Sequence, residues 1–266
     1  MPGEIGILRF ALSDAAVLAE SSQAASQEVE NLLLDQPTDS WQTTGVAAES
    51  IVGDLGAVAP VDCAALLAGN FRSDTTIRFR GADTEANLTA APAVDTTVAA
   101  AWAAGDPEDY AVGTRNWIKV LSATFNIRWF RFDLADSGHP DGYFRFGRLG
   151  VGALTRTKDM LPSALPVHQE PEDRVRTSGG GIHFRAVGGR PVLGPLTYLR
   201  TEAQLAELRR LIRLNGSSRP VLYVCDVERE GDEMQEDSIY GLLGEVSSLP
   251  IPHRGLRELR LQVQGL

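Results

Sequence analysis

The sequence predicts a mainly β protein in two parts, residues 1–155 and 156–266, the second carrying one helix. Three observations point there. Apolar residues stand in short runs of strand length, either alternating with polar residues or unbroken. Turn-forming clusters, drawn from 26 glycines and 14 prolines, separate those runs. One segment alone combines a sustained helical period with start and stop signals.

In chain order, Glu4–Leu12 is a short apolar run that reads as a strand. Ser21–Leu34 places Val29, Leu32 and Leu33 at helix-like spacing and reads as a short helix or an irregular lead-in. After Trp41, Ser50–Gly56 carries Ile51 and Leu55 on one parity and ends at Gly56. Pro60–Ala68 is apolar apart from Asp62 and reads as a buried strand. Asn70–Ser73 reads as a turn, and Thr75–Arg80 alternates around Ile77 and Phe79. A polar, then Ala-rich excursion follows. Phe125–Leu134 changes phase: Phe125, Ile127 and Trp129 share one parity, and Phe130, Phe132 and Leu134 share the other. One extra residue in a strand flips its faces, so this reads as a β-bulge. Asp136–Gly142 is a turn cluster and Tyr143–Val151 returns as a strand, which predicts a hairpin.

Arg156–Val175 has no clear period and reads as a linker. Ile182–Val187 and Pro191–Arg200 are extended. The helix is Thr201–Leu214: Thr201 and Gln204 form a capping box, and Leu205, Leu208 and Ile212 form an apolar stripe. Asn215-Gly216 supplies the stop. Val221–Cys225, Ile239–Val246 and Leu256–Val263 close the chain as strands.

At 266 residues the chain can bury a large core without a disulfide or metal. A net charge of −10 argues against affinity that comes from neutralising phosphates. Cys63 and Cys225 each sit in an apolar run and read as buried free thiols. The start lacks a cationic segment followed by a long apolar one, and no apolar run reaches membrane-spanning length. A soluble protein without a signal peptide is the expectation.

Catalytic signals are thin. None of His139, His168, His183 and His253 lies at metal-ligand spacing from another His or Cys. His139 and His253 adjoin prolines and read as solvated loop residues, and His183 as a structural strand residue. There is no G-x-S-x-G elbow, and Ser178–Gly181 lacks the Lys-Ser/Thr ending of a phosphate loop. Asp226, Glu228, Glu230, Gly231 and Asp237 match calcium-loop spacing, yet strands flank them and the ligand types are wrong. This acidic loop reads as a solvated hairpin tip, with weak cation binding as the alternative. Asp133, Asp136 and Asp141 are possible glycan-active acids that nothing singles out. Trp41, Trp102, Trp117 and Trp129 form either a sugar-stacking platform or, more ordinarily, core. No residue is assigned a catalytic, cofactor or metal role.

The order of motifs adds a resemblance. Trp41 precedes a strand ending Asp54-Leu55-Gly56, and an apolar strand runs into Asn70. Trp129–Asp133 then leads through Pro140–Gly142 to Gly147–Leu149. This resembles the discoidin-like (F5/8 type C) jelly roll of minor structural proteins in tailed bacteriophages. The second part, with Thr-Glu-Ala opening its helix and later Ile-Tyr-Gly-Leu-Leu, resembles the tail-tube-like β-sandwich of distal tail and tube proteins. The resemblance implies a virion component of a non-contractile tail tip or baseplate, made in the bacterial host cytoplasm. It would be a distal tail protein or its neighbour, forming a trimeric or hexameric ring with itself. Its partners would be the tail tube, baseplate hub, tape-measure and receptor-binding proteins. An acidic lumen would keep DNA from sticking. Neither enzyme activity, a cofactor, sequence-specific nucleic-acid binding nor membrane insertion is expected. The alternative is a carbohydrate-binding adhesin module that recognises host-surface glycans.

Overall fold

The computed structural model describes residues 4–102, 115–157, 166–169, 172–176, 182–186, 190–229, 232–244, 247–250 and 256–265. Among these the fold is mainly β: an eight-stranded sheet, a seven-stranded sheet and two two-stranded sheets. Helices are Asn87–Ala90, Glu202–Asn215 and Asp232–Asp237, with short 3-10 turns at Ser13–Ala15 and Val29–Leu33. The segment read as a short helix or lead-in is therefore mostly irregular.

Two strands of 21 residues, Glu49–Gly69 and Arg115–Ala135, pair antiparallel and form the spine of the seven-stranded sheet. Thr76–Ala82 continues the sheet beyond Arg115–Ala135. On the near half of Glu49–Gly69, Ile51, Gly53 and Leu55 face inward while Ser50, Val52 and Asp54 face out. Its far half is buried on both sides. Ala64 and Leu66 enter the core of the seven-stranded sheet, and Cys63, Ala65 and Leu67 pack toward the eight-stranded sheet. That double burial explains why Val61–Leu67 is apolar without alternation apart from Asp62, whose carboxylate accepts from the Leu154 N–H at 2.7 Å. The first core is aromatic: Trp41 stacks on Phe146 at 5.7 Å, Phe71 meets Phe146 at 4.7 Å, and Phe79 meets Phe132 at 5.1 Å.

The phase change is present, but the extra residues lie on the partner strand. Asp54 pairs with Trp129 and Ala59 with Ile127, so Leu55–Val58 bulges and Gly56 adopts a φ of +78°. Ile127 and Phe130 both point into the core, which leaves Arg128 and Trp129 outside.

The expected hairpin between Phe125–Leu134 and Tyr143–Val151 does not form. Arg148–Gly152 crosses over to pair with Cys63–Leu67, on the edge opposite Arg115–Ala135. Both edges of that buried strand thus find partners. Arg145–Phe146 pairs instead with Trp41–Gln42.

The eight-stranded sheet runs Leu154–Thr157, Ile5–Arg9, Pro220–Val224, Ile239–Leu243, Leu256–Gly265, Arg190–Thr201 and Pro166–Gln169, with Ser247–Pro250 also on Leu256–Gly265. Its first strand by sequence, Ile5–Arg9, hence lies beside the C-terminal strands. Pro166–Gln169 and Glu172–Arg176 are strands inside the stretch read as a linker, a correction that follows from their pairing with Arg190–Leu193 and Ile182–Ala186. The helix Glu202–Asn215 seats Leu208 and Leu211 against Ile5, Ile7, Val221 and Tyr223. It stops where Gly216 (φ +66°) donates to the Ile212 carbonyl at 2.9 Å, as its sequence signals predict. On the other face, Leu8, Phe10, Leu222, Val224 and Tyr240 meet Cys63, Ala65, Leu67 and Ile118, joining the two sheets.

Candidate functional site

The outward face of the seven-stranded sheet carries charge where its inward face carries aromatics. In Thr76–Ala82, Ile77 and Phe79 are core residues, so period two places Arg78 and Arg80 on the opposite face, where Arg78 is half-buried and Arg80 is buried against the Leu88 carbonyl. In Arg115–Ala135, Phe130, Phe132 and Leu134 are core, and Trp129, Arg131 and Asp133 are outside. Cross-strand register sets Arg78 opposite Asp133, Arg80 opposite Arg131 and Ala82 opposite Trp129.

These groups form a hydrogen-bonded ladder. Arg78 forks onto Asp95, with its Nε 2.8 Å from Oδ1. Arg80 donates to Asp133 Oδ2 at 3.0 Å through Nε and to the Leu88 carbonyl at 3.0 Å. Arg131 Nε donates to the other Asp133 oxygen at 2.6 Å. Beside the bulge, Arg128 grips Asp54 through two bonds of 2.8 and 2.7 Å, and its guanidinium lies 5.7 Å from the Trp129 ring centre. The guanidinium bonds of Arg78 and Arg128 hold the Asp95 and Asp54 carboxyls below the usual carboxylate range. A small cavity of about 170 Å³ opens at one end of the ladder, lined by Glu49, Thr76, Arg78, Arg131 and Asp133 with Val98 at its side.

Such a face offers fixed donors and acceptors next to a half-buried indole. Bidentate arginine–carboxylate pairs keep their geometry without a ligand, and each arginine has further N–H groups. The chemistry suits neighbouring hydroxyls on a molecule with an apolar C–H face.

The tryptophans expected as one platform are split by burial. Trp41 and Trp117 are core residues; Trp102 is half-buried beneath Arg115, whose guanidinium is 4.6 Å from its ring; Trp129 alone lies on the ladder. The three acids separate likewise. Asp133 joins the ladder, and Asp141 accepts from Asn70 at 2.9 Å in an exposed turn. Asp136 is buried and accepts from Arg72 at 2.5 and 2.8 Å and from Thr75 at 3.1 Å. His139, expected to be solvated, is 6% exposed. Its Nε2 donates to the Asn70 carbonyl at 2.8 Å, its Nδ1 accepts from the Asp141 N–H at 3.3 Å, and its ring meets Phe144 edge-on. Two satisfied ring nitrogens allow the turn to close over it.

Asp226 and Asp237, the ends of the calcium-like spacing, both face Arg229, at 3.4 and 3.7 Å. Glu230 and Gly231 lie outside the described residues, as does His253; the side chains of His168 and His183 do too. Among the described residues no group of three His, Cys, Asp or Glu is placed to hold a metal. Both cysteines are free, and burial pushes the Cys225 thiol up to about 11 and that of Cys63 further. No described helix is long and apolar enough to cross a membrane.

The sequence reading did not reach Arg78, Arg80, Arg128 or Arg131. The signal was there: arginine alternates with Ile77 and Phe79, and again with Phe130 and Phe132.

No protein-family model matches the sequence, and no curated protein matches it. Solved structures do. A family 32 carbohydrate-binding module from Clostridium perfringens NanJ, in complex with galactose, is 13% identical; the match covers 55% of this chain and 98% of that one, with a TM-score of 0.41. The lectin domain of lectinolysin, complexed with Lewis B antigen, is 11% identical over 54% of this chain and 97% of its own, with a TM-score of 0.40. A chitosan-binding module from a Paenibacillus chitosanase/glucanase is 17% identical over 55% and 98%, with a TM-score of 0.39. At such identities and scores these matches assign no residue of this chain a role.

Proposed function

We propose that this chain binds carbohydrate through the outward face of its seven-stranded sheet, in a discoidin-like jelly-roll module within residues 1–155. The observation that carries the reading is the ladder itself: Asp95–Arg78, Arg80–Asp133–Arg131 and Arg128–Asp54, with Trp129 among them. Arg80 is buried beneath the face, and the other three guanidinium groups with three carboxylates leave it close to neutral, which suits an uncharged saccharide. From Trp129 to Asp133 the strand advances about 13 Å at ~3.3 Å per residue, long enough for more than one sugar ring.

Binding rather than cleavage fits the electrostatics. A general acid needs a raised carboxyl pKa, whereas Asp54 and Asp95 are lowered. Nothing among the described residues or the comparisons supports the tail-tip ring that the motif order implies.

The test is an array of neutral oligosaccharides probed with the full chain, then calorimetry on the best binder. Trp129→Ala and Arg131→Ala should each weaken binding about tenfold or more while the melting temperature stays within ~2 °C. Val58→Ala, at an exposed site in the bulge, should change nothing. Absence of saccharide binding, or equal binding by wild type and Trp129→Ala, overturns the proposal.

A further inference from the structure

One end of the ladder is built on a strained turn. Val94–Asp95 pairs with Arg80–Gly81, and Ala99–Ala100 pairs with Thr76–Ile77. Between those pairs Thr96, Thr97 and Val98 stand opposite only Arg78 and Phe79, which makes the segment a β-bulge at the sheet edge. Thr96 closes the gap: its N–H donates to the Phe79 carbonyl at 3.0 Å, and its Oγ1 accepts from the Phe79 N–H at 2.9 Å. Thr97 takes a φ of +60°. Left-handed backbone suits glycine, and a β-branched residue there is strained.

The other end of the ladder uses the same turn without the strain. In the bulge Leu55–Val58, Asp54 grips Arg128 and accepts from the Gly56 N–H at 2.8 Å, and Gly56 is the left-handed residue. Asp95 repeats the arrangement, its Oδ1 accepting from Arg78 Nε at 2.8 Å and from the Thr97 N–H at 2.9 Å. Each end therefore holds an arginine on an aspartate that also receives the N–H two residues on. Threonine restricts the backbone where glycine leaves it free, so Asp95 and Val98 are kept in one arrangement. Val98, 63% exposed, stands beside the cavity of about 170 Å³ that Arg78, Arg131 and Asp133 also line.

We propose that Thr97 is a positioning residue of the saccharide site. It fixes the Asp95–Arg78 pair and the Val98 side chain as a rigid rim, against which one sugar ring sets its hydroxyls on Arg78 and its C–H face on Val98. The inference rests on the carbohydrate reading and deepens it. The cavity is smaller than the ~300 Å³ at the low end of small-molecule sites, so it takes part of a single ring.

The full chain is titrated with the best saccharide from the array. Thr97→Gly removes the strain and frees the backbone. It should weaken the saccharide about three- to fivefold while the melting temperature holds within ~2 °C or rises. Thr97→Asn tolerates left-handed backbone and keeps a side chain, so it should bind within about twofold of wild type. Val98→Ala should weaken binding about threefold. In NMR spectra without saccharide, the Arg78 Nε–H should exchange with water several-fold faster in Thr97→Gly than in wild type. A merely structural residue would lose affinity together with stability, whereas here the two move apart. If wild type binds no saccharide, the carbohydrate reading falls and this inference with it. If wild type binds and Trp129→Ala weakens it, three results overturn the inference alone: Thr97→Gly binding as wild type does, unchanged exchange at Arg78, or affinity that falls only in step with the melting temperature.

Discussion

Consider Arg148 replaced by Met. The Arg148 side chain is fully buried and donates to Asp14 Oδ1 at 2.6 Å, Asp35 Oδ1 at 3.1 Å and the Leu32 carbonyl at 3.3 Å. Its guanidinium also lies 4.6 Å from the Phe10 ring centre. Met keeps the apolar stem beside Phe10 and removes the charge. Stripping one partner from a fully buried ion pair costs ~3–5 kcal/mol. Here Asp14 and Asp35 are 35% and 49% exposed, so water recovers part of their solvation. The expected loss is therefore about 2–3 kcal/mol. For a chain of this size that lowers the melting temperature by roughly 4–10 °C.

Asp14 supplies an internal control. Burial raises its carboxyl pKa despite the Arg148 bond, so its charge is a net burden at neutral pH. Asp14→Asn should accordingly cost less than Arg148→Met. Thermal and urea unfolding of both variants decide the matter. A melting temperature for Arg148→Met within ~1 °C of wild type, or a greater loss for Asp14→Asn, refutes the reasoning.

Three further predictions follow the same logic. Burial works to raise the Asp136 pKa, but bonds from Arg72, Thr75 and the Gly138 N–H together hold it below the usual value. That stability is present above the unfolded pKa of ~3.9 and is lost as pH falls through the lower folded value, so Asp136→Asn should be weaker at neutral pH and lose less between pH 4 and pH 2 in urea titrations. Gly147→Ala would place a Cβ 2.4 Å from the Pro37 carbonyl oxygen and should cost ~1–3 kcal/mol, read as a lower melting temperature. Trp41→Ala should cost ~3–5 kcal/mol by urea unfolding, because the indole is fully enclosed between Phe146 and the sheet; a small loss would mean the core closes over the gap.

Period-two patterns told most where one face of a strand is wet. Ile77 and Phe79 against Arg78 and Arg80 separate the core from the charged face, so the candidate site was half legible from alternation, although the pattern did not show that Arg80 is buried against the Leu88 carbonyl. What the pattern lacked was pairing. Nothing near Arg78 in sequence says that Asp95 holds it, or that Asp133 serves Arg80 and Arg131 at once. The same gap misdirected the hairpin reading, since the neighbour of Arg148–Gly152 is a strand some eighty residues earlier. His139 read as solvated because local polarity predicts exposure, whereas the Asn70 carbonyl that shelters it comes from a distant turn.

The sequence by itself determined the mainly β class, the position and ends of the long helix, the doubly buried strand at Pro60–Ala68 and the break in phase beside Trp129. These are local quantities, written in spacing, propensity and turn chemistry. Tertiary structure alone decided that Ile5–Arg9 lies between Leu154–Thr157 and Pro220–Val224, that Arg148 is buried under two aspartates, and that Arg78 meets Asp95 beside the left-handed Thr97. Each of these depends on which distant strands hydrogen-bond and which charges meet across them. Periodicity repeats along the chain and carries no record of the partner.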